Sequence, residues 1–106
     1  MNKPVALIID DEPDICELLQ ITLGRMGIDT DSAADIKQAQ KKLLENDYNL
    51  CLTDMKLPDG NGIDLVKTLQ KEKPQIPIAV FTAHGNMDTA IQAMKAGAFD
   101  FISKPV

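Results

Sequence analysis

No segment of this 106-residue chain approaches the ~18 to 20 consecutive apolar residues that a membrane span requires. The amino-terminal Met-Asn-Lys-Pro-Val-Ala-Leu also lacks the apolar run and small-residue cleavage site of a signal peptide. A soluble, cytoplasmic protein is expected. Cysteine is scarce, and Cys16 and Cys51 stand far apart inside apolar segments, without Cys-x-x-Cys spacing or partner histidines. That excludes an obvious thiolate metal site and predicts two buried free thiols. Positive charge is in deficit, with 11 bases against 16 acids and a formal net charge of −5. A domain of that sign is not steered to nucleic acid by its own field. Repeats, low-complexity tracts, internal linkers and a Gly-x-x-x-x-Gly-Lys nucleotide loop are all missing.

What is present suffices for one domain around one core, since 44% of the residues are apolar. Strand-like and helix-like periods alternate along it. Residues 5–9 form a continuous apolar run that ends in Asp10 and Asp11, as in a strand buried on both faces. Pro13 suits a first helical turn, and Ile15, Leu18, Leu19, Leu23 and Met26 recur at helical spacing until Gly27. Residues 28–33 are a more polar strand. Asp35 is placed to cap a helix reaching residue 46, with Ile36, Ala39, Leu43 and Leu44 as its stripe. Residues 50–53 are the third strand, followed after Gly60-Asn61-Gly62 by a helix carrying Leu65, Val66 and Leu69. A strand over 76–82, a helix over 88–95 closed by Gly97, and a fifth strand over 99–103 complete the series. The pattern predicts an α/β, doubly wound, five-stranded parallel sheet with right-handed crossovers.

In such sheets ligands bind beyond the carboxyl ends of the strands, where the strand order reverses. Asp10, Asp11, Asp54, Thr82 and Lys104 each fall at such an end. Strands one and three, if adjacent, lie ~4.8 Å apart, so three carboxylates would crowd one cleft. A hard oxygen-seeking cation relieves that repulsion, and Mg²⁺ fits a few carboxylates plus a phosphate. An aspartate beside Mg²⁺ can attack phosphorus and become an acyl phosphate. Lys104 then supplies a point charge to the phosphoryl oxygens, and Thr82 a hydroxyl donor.

Together, Asp10-Asp11, Asp54 with Leu57-Pro58-Asp59-Gly60-Asn61-Gly62, Thr82-Ala83 and Lys104-Pro105 resemble the receiver domain of two-component response regulators over the whole chain. The resemblance implies the flavodoxin-like receiver fold, strand order 2-1-3-4-5, and one receiver domain over residues 1–106. It makes Asp54 the phosphoacceptor, Asp10, Asp11, Asp54 and the Met55 backbone carbonyl Mg²⁺ ligands, and Lys104 and Thr82 phosphate contacts. It implies a switch pair of Thr82 and Phe101, although Phe101 reads equally as a core aromatic, and a cis peptide between Lys104 and Pro105. It implies phosphoryl transfer from a sensor histidine kinase, so the domain is a signalling module rather than an enzyme. The stretch "FTAHGNMDTAIQAMKAGAFDFISKPV" is similar to NtrC-like activators, whose ATPase and DNA-binding domains lie downstream, and "LCLTDMKLPDGNGIDLV" to the type IV pilus (PilR-like) group. Direct nucleic-acid or membrane binding by this domain is not implied, and a dimer is allowed. The chain stops at Val106, before the last helix of the family, so Phe99, Phe101 or Ile102 are expected to lose cover on the face shared with the first helix. A weakened fragment, or one covered by another chain, is the expectation.

Other residues read more plainly. Glu12 is expected as a helix-start acid favoured by the dipole, Asp59 with Gly60 as turn chemistry, and His84 as a solvated loop residue. The fourth helix is expected to dock through Ala90, Ile91 and Met94, with Ala93 and Ala96 nearby. Two rivals share the aspartate or the fold. A dehalogenase-type Mg²⁺ phosphatase needs an acid two residues after its nucleophile, where this chain has Lys56. A flavin carrier needs a phosphate-cradling loop after strand one, where Asp-Asp-Glu-Pro would repel phosphate.

Overall fold

Ala6, Leu7, Ile8 and Ile9 are all inaccessible to solvent, so this segment can satisfy its backbone groups only inside a sheet covered on both faces. The computed structural model describes residues 3–82 and 87–103, apart from the side chains of Thr82, Met87 and Ser103. The element order is β1 (Val5–Ile9), α1 (Pro13–Arg25), β2 (Asp29–Ala33), α2 (Ile36–Glu45), β3 (Leu50–Asp54), β4 (Lys56–Leu57), β5 (Gly60–Asn61), α3 (Gly62–Glu72), β6 (Ile78–Thr82), α4 (Met87–Ala96) and β7 (Asp100–Ser103).

Five of these strands form one sheet in the order β2-β1-β3-β6-β7, every pairing parallel. With β6 and β7 as the fourth and fifth main strands, this is the expected doubly wound order, and it makes β1 and β3 neighbours. The strand order reverses at β1, which therefore opens the crevice beside β3. The small hairpin β4–β5, pairing Lys56 with Asn61 and Leu57 with Gly60, was legible only as a turn.

Alternation along the strands feeds two cores. Leu7, Ile9, Cys51 and Val80 point to the face covered by α2, α3 and α4, and join Ala39, Leu43, Leu65, Val66, Leu69 and Ala93. Ala6, Ile8, Leu52 and Phe81 point to the opposite face, where Leu23, Cys16 and Leu19 of α1 meet them. Burial pushes the Cys51 thiol up to about 12, so it behaves as a small core hydrophobe. Cys16 is half-buried rather than buried.

Several helix faces differ from the sequence reading. Leu18 and Met26 of the α1 region are exposed, and Leu44 of α2 is 81% exposed. In α4 the buried positions are Ala90 and Ala93, whereas Ile91 and Met94 face outward. The reason is common to all three: these helices carry apolar residues around more than one face, and periodicity cannot say which stripe the sheet selects. On β7, Phe101 pairs with Val80 and Ile102 with Phe81, so Phe101 and Phe99 share the α4 face and only Ile102 lies on the α1 face. Among the described residues no helix is long and apolar enough to cross a membrane.

Candidate functional site

Two segments of chain meet at the carboxyl edge of β1 and β3. Asp10 follows β1, and its amide donates to Ala33 O (3.0 Å), which carries strand pairing one residue past Ile9. Its Oδ1 accepts from the Glu12 amide at 3.0 Å, folding the Asp10-Asp11-Glu12 segment back on itself before Pro13 starts α1. Asp54 ends β3 in register with Phe81 of β6, and the next amide, Met55 N, donates to Phe81 O at 3.1 Å.

Asp10 and Asp54 are 2% and 6% exposed, while Asp11 and Glu12 are open to solvent. Ligand atoms from all four carboxylates lie within 4.8 Å of one another. At that spacing several anions repel strongly unless a cation or protons intervene. The donor set is all oxygen, carboxylate-rich and open on one side, which suits a hard divalent ion that keeps some of its water. Asp10, Asp11 and Asp54, singled out from the sequence, are thus brought together. Glu12 joins them, although the sequence reading took it as a helix-start acid. It occupies the N-cap position of α1 but makes no side-chain cap, so its carboxylate belongs to the cluster. Its signal was its place directly after the acidic pair.

The backbone around Asp54 is held tightly. Thr53 Oγ1 donates to Asp54 O at 3.0 Å, and the Gly62 amide donates to Met55 O at 2.8 Å. One lone pair of the Met55 carbonyl, expected as a metal ligand, is therefore committed to closing the hairpin. A Cβ on Gly62 would fall 2.3 Å from Asp54 O, so only glycine lets α3 start this close to the acid. Asn61 caps the same helix, its side chain accepting from Asp64 N at 3.1 Å.

Asp59, read as turn chemistry, does more than turn the chain. Its two carboxylate oxygens accept from the amides of Ile36 (2.9 Å) and Lys37 (3.0 Å) at the start of α2. The Ile36 amide bond chiefly, with that from Lys37, holds the Asp59 carboxyl below its usual range despite the opposing effect of burial. No local pattern announces a contact over 23 residues of chain.

Thr82 is the last residue of β6, one position beyond the Asp54–Phe81 register pair, so its backbone stands next to the acid. Phe101 is half-buried in β7. Lys104, Pro105 and His84 lie outside the described residues, as does the expected Lys104–Pro105 peptide.

The response regulator receiver domain family matches residues 6–106. The response regulator protein PilR of Pseudomonas aeruginosa is 60% identical over the whole of this chain, which covers 24% of that protein. The nitrogen assimilation regulatory protein NtrX of Azorhizobium caulinodans is 37% identical over 93% of the chain and 22% of its own length. The chain thus spans about a quarter of these curated relatives. Among solved structures, the beryllofluoride-activated NtrC4 receiver domain dimer superposes with a TM-score of 0.90 at 33% identity, covering 96% of this chain and 84% of that one.

Proposed function

This chain belongs to the response regulator receiver domain family, and from that premise we propose that it takes a phosphoryl group from a sensor histidine kinase onto Asp54, with Mg²⁺, to switch the output of a longer transcription regulator. The observation that carries the proposal is the carboxylate cluster: Asp54, 6% exposed, ends β3 within 4.8 Å of Asp10, Asp11 and Glu12 at the sheet's switch point.

Asp10, Asp11 and Asp54 are the carboxylates that would hold the ion, with Glu12 beside them and backbone carbonyl oxygen from the Met55 segment. When bound, it neutralises charge on the cluster and on the transferring phosphoryl oxygens. An Asp54 carboxylate oxygen forms the new P–O bond as the P–N bond of a phosphohistidine breaks, and the imidazole leaves with its electron pair. Lys104 and Thr82 serve the phosphoryl oxygens in this scheme.

Phosphorylation adds about −1.5 to −2 charges and three acceptor oxygens at this edge. Thr82 is drawn toward them and Phe101 moves into the space released. The readout is α4, whose buried contacts are alanines and whose Ile91 and Met94 already face out. The 60% identity to PilR supports an output in type IV pilus transcription through ATPase and DNA-binding domains of a longer protein. The NtrC4 dimer supports dimerisation in the activated state, and the cytoplasm as the site of action follows from those partners.

Intact mass after incubation with acetyl phosphate and Mg²⁺ tests this directly. One phosphoryl adduct is expected on wild type, none on Asp54→Asn, and none on wild type with the metal chelated. A label that persists in Asp54→Asn overturns the assignment.

A further inference from the structure

The hairpin that follows Asp54 is clamped at two ends. At its base, Gly62 N donates to Met55 O (2.8 Å) and the Gly62 backbone rests against Asp54 O. At its tip, Asp59 spans the first two amides of α2, accepting from Ile36 N and Lys37 N. Gly60 seals the same contact from below: its φ of 158° is open to glycine, and a Cβ there would come within 2.7 Å of Ile36 Cδ1. Leu57, 8% exposed, anchors the hairpin to the core. The carboxylate at the tip fastens the hairpin's far end to α2.

Asp59 satisfies the first two amides of α2, which the helix's own cap does not reach, and in doing so ties that helix to the hairpin. Helix α2 already has its own cap, Asp35, whose Oδ1 accepts from Gln38 N at 2.7 Å, and Gln38 Oε1 accepts in return from Ala34 N at 3.1 Å. Asp59 adds a second carboxylate from 23 residues away, and its two bonds lie between α2 and the hairpin that starts two residues after the phosphoacceptor.

We propose that Asp59 is a positioning residue for the phosphoacceptor site: by bracing the hairpin tip against the amino terminus of α2, it orients the Met55–Lys56 backbone beside Asp54 for metal binding. The inference rests on the functional reading above. Loss of the brace loosens the hairpin and lets the backbone at its base shift within its remaining bonds, which weakens the ion's hold without altering any carboxylate, much as outer-shell partners govern metal affinity elsewhere.

The experiment compares Asp59→Ala and Asp59→Asn with Asp35→Ala in the full chain, by magnesium titration with two readouts. Amide chemical shifts of residues 54–62 report Mg²⁺ binding without phosphorylation, and intact mass reports the acetyl phosphate reaction. Asp59→Ala is expected to raise the half-saturating Mg²⁺ concentration by about tenfold in both readouts. Asp59→Asn, which keeps one acceptor oxygen, should fall between it and wild type. Asp35→Ala should lower the melting temperature and leave Mg²⁺ half-saturation where it was. Equal Mg²⁺ half-saturation in Asp59→Ala and wild type overturns the inference, as does an equal shift from Asp35→Ala. If Asp59→Ala fails to fold, Asp59→Asn alone decides by the same criterion. Wild type that binds Mg²⁺ but takes no phosphoryl group would instead overturn the functional reading and leave the brace to be judged on the shifts.

Discussion

Helices α3 and α4 pack side by side on one face of the sheet, yet they are attached by different means. Helix α3 buries Leu65, Val66 and Leu69 almost completely, begins against Asp54 at Gly62, and is capped by Asn61. Among the described side chains, helix α4 puts Ala90 and Ala93 into the interior and turns Ile91 and Met94 outward. Full burial of a leucine or valine side chain stabilises by roughly 1.5–3 kcal/mol, against about 0.8 kcal/mol per methyl-sized group. The sheet therefore grips α3 several times harder than α4. The helix that starts at the acidic site is the more firmly held of the two. A polar stitch joins them, Gln70 Nε2 donating to Gly97 O at 3.1 Å just beyond the end of α4.

The most forceful way to break this contrast is to hollow out the anchor. Leu65→Ala should cost about 2–5 kcal/mol in urea denaturation, since Leu65 is 1% exposed and its neighbours cannot all collapse into the space. Ala93→Gly in α4 should cost about 2 kcal/mol, shared between helix propensity and the one buried methyl lost. A larger loss in α4 than in α3 would invert the comparison. Gly62→Ala comes next: a Cβ 2.3 Å from Asp54 O must push the helix start or the acid, at about 1–3 kcal/mol. Because the displaced atom belongs to Asp54, slower phosphorylation by acetyl phosphate should accompany the stability loss, which Leu65→Ala at matched stability would not show.

Gln70→Ala sharpens the contrast at lower cost. It removes the stitch at about 1 kcal/mol, and hydrogen exchange should then accelerate in α4 while α3 amides keep their protection. The smallest effect lies away from both helices and serves as a control. Burial alone would raise the Asp31 pKa, but hydrogen bonds from Lys42 (2.7 Å), Tyr48 (2.7 Å) and the Ser32 amide outweigh it and hold the group below 3.8. A depressed carboxylate adds stability that is complete above the unfolded value and is lost as pH falls through the lower, folded one. Melting temperature should thus decline more gently below pH 3.8 in Asp31→Asn than in wild type. Since Asp31 is 38% exposed, the difference should be small, and the relative protection of α3 and α4 should not change.

The strands and the rim acids were legible for one reason: a strand covered on both faces must be apolar throughout, so a carboxylate at its end stands out. Asp10 after Ile9 and Asp54 after Thr53 are the clearest cases. Asp35 was equally legible as a cap, because its partner Gln38 N lies within the same turn. Glu12 stands at the start of α1 as read, and its further place beside Asp54 was not legible because only the folded distance shows it. Ile91, Met94 and Leu44 were misassigned because a helix with apolar residues on two sides carries two acceptable stripes.

By itself, then, the order of residues determined the alternation of strands and helices, the parallel sheet that such crossovers force, and the edge at which the acids gather. Each of these follows from interactions a few residues long, or from the rule that buried backbone must be paired. The tertiary structure alone decided that Glu12 joins the acidic cluster, that α4 rests on alanines, and that Asp59 braces the loop after Asp54 against α2. Those outcomes depend on which surfaces meet once the sheet has formed, and a contact between residues 36 and 59 has no local signature because its energy exists only when the chain between them is folded.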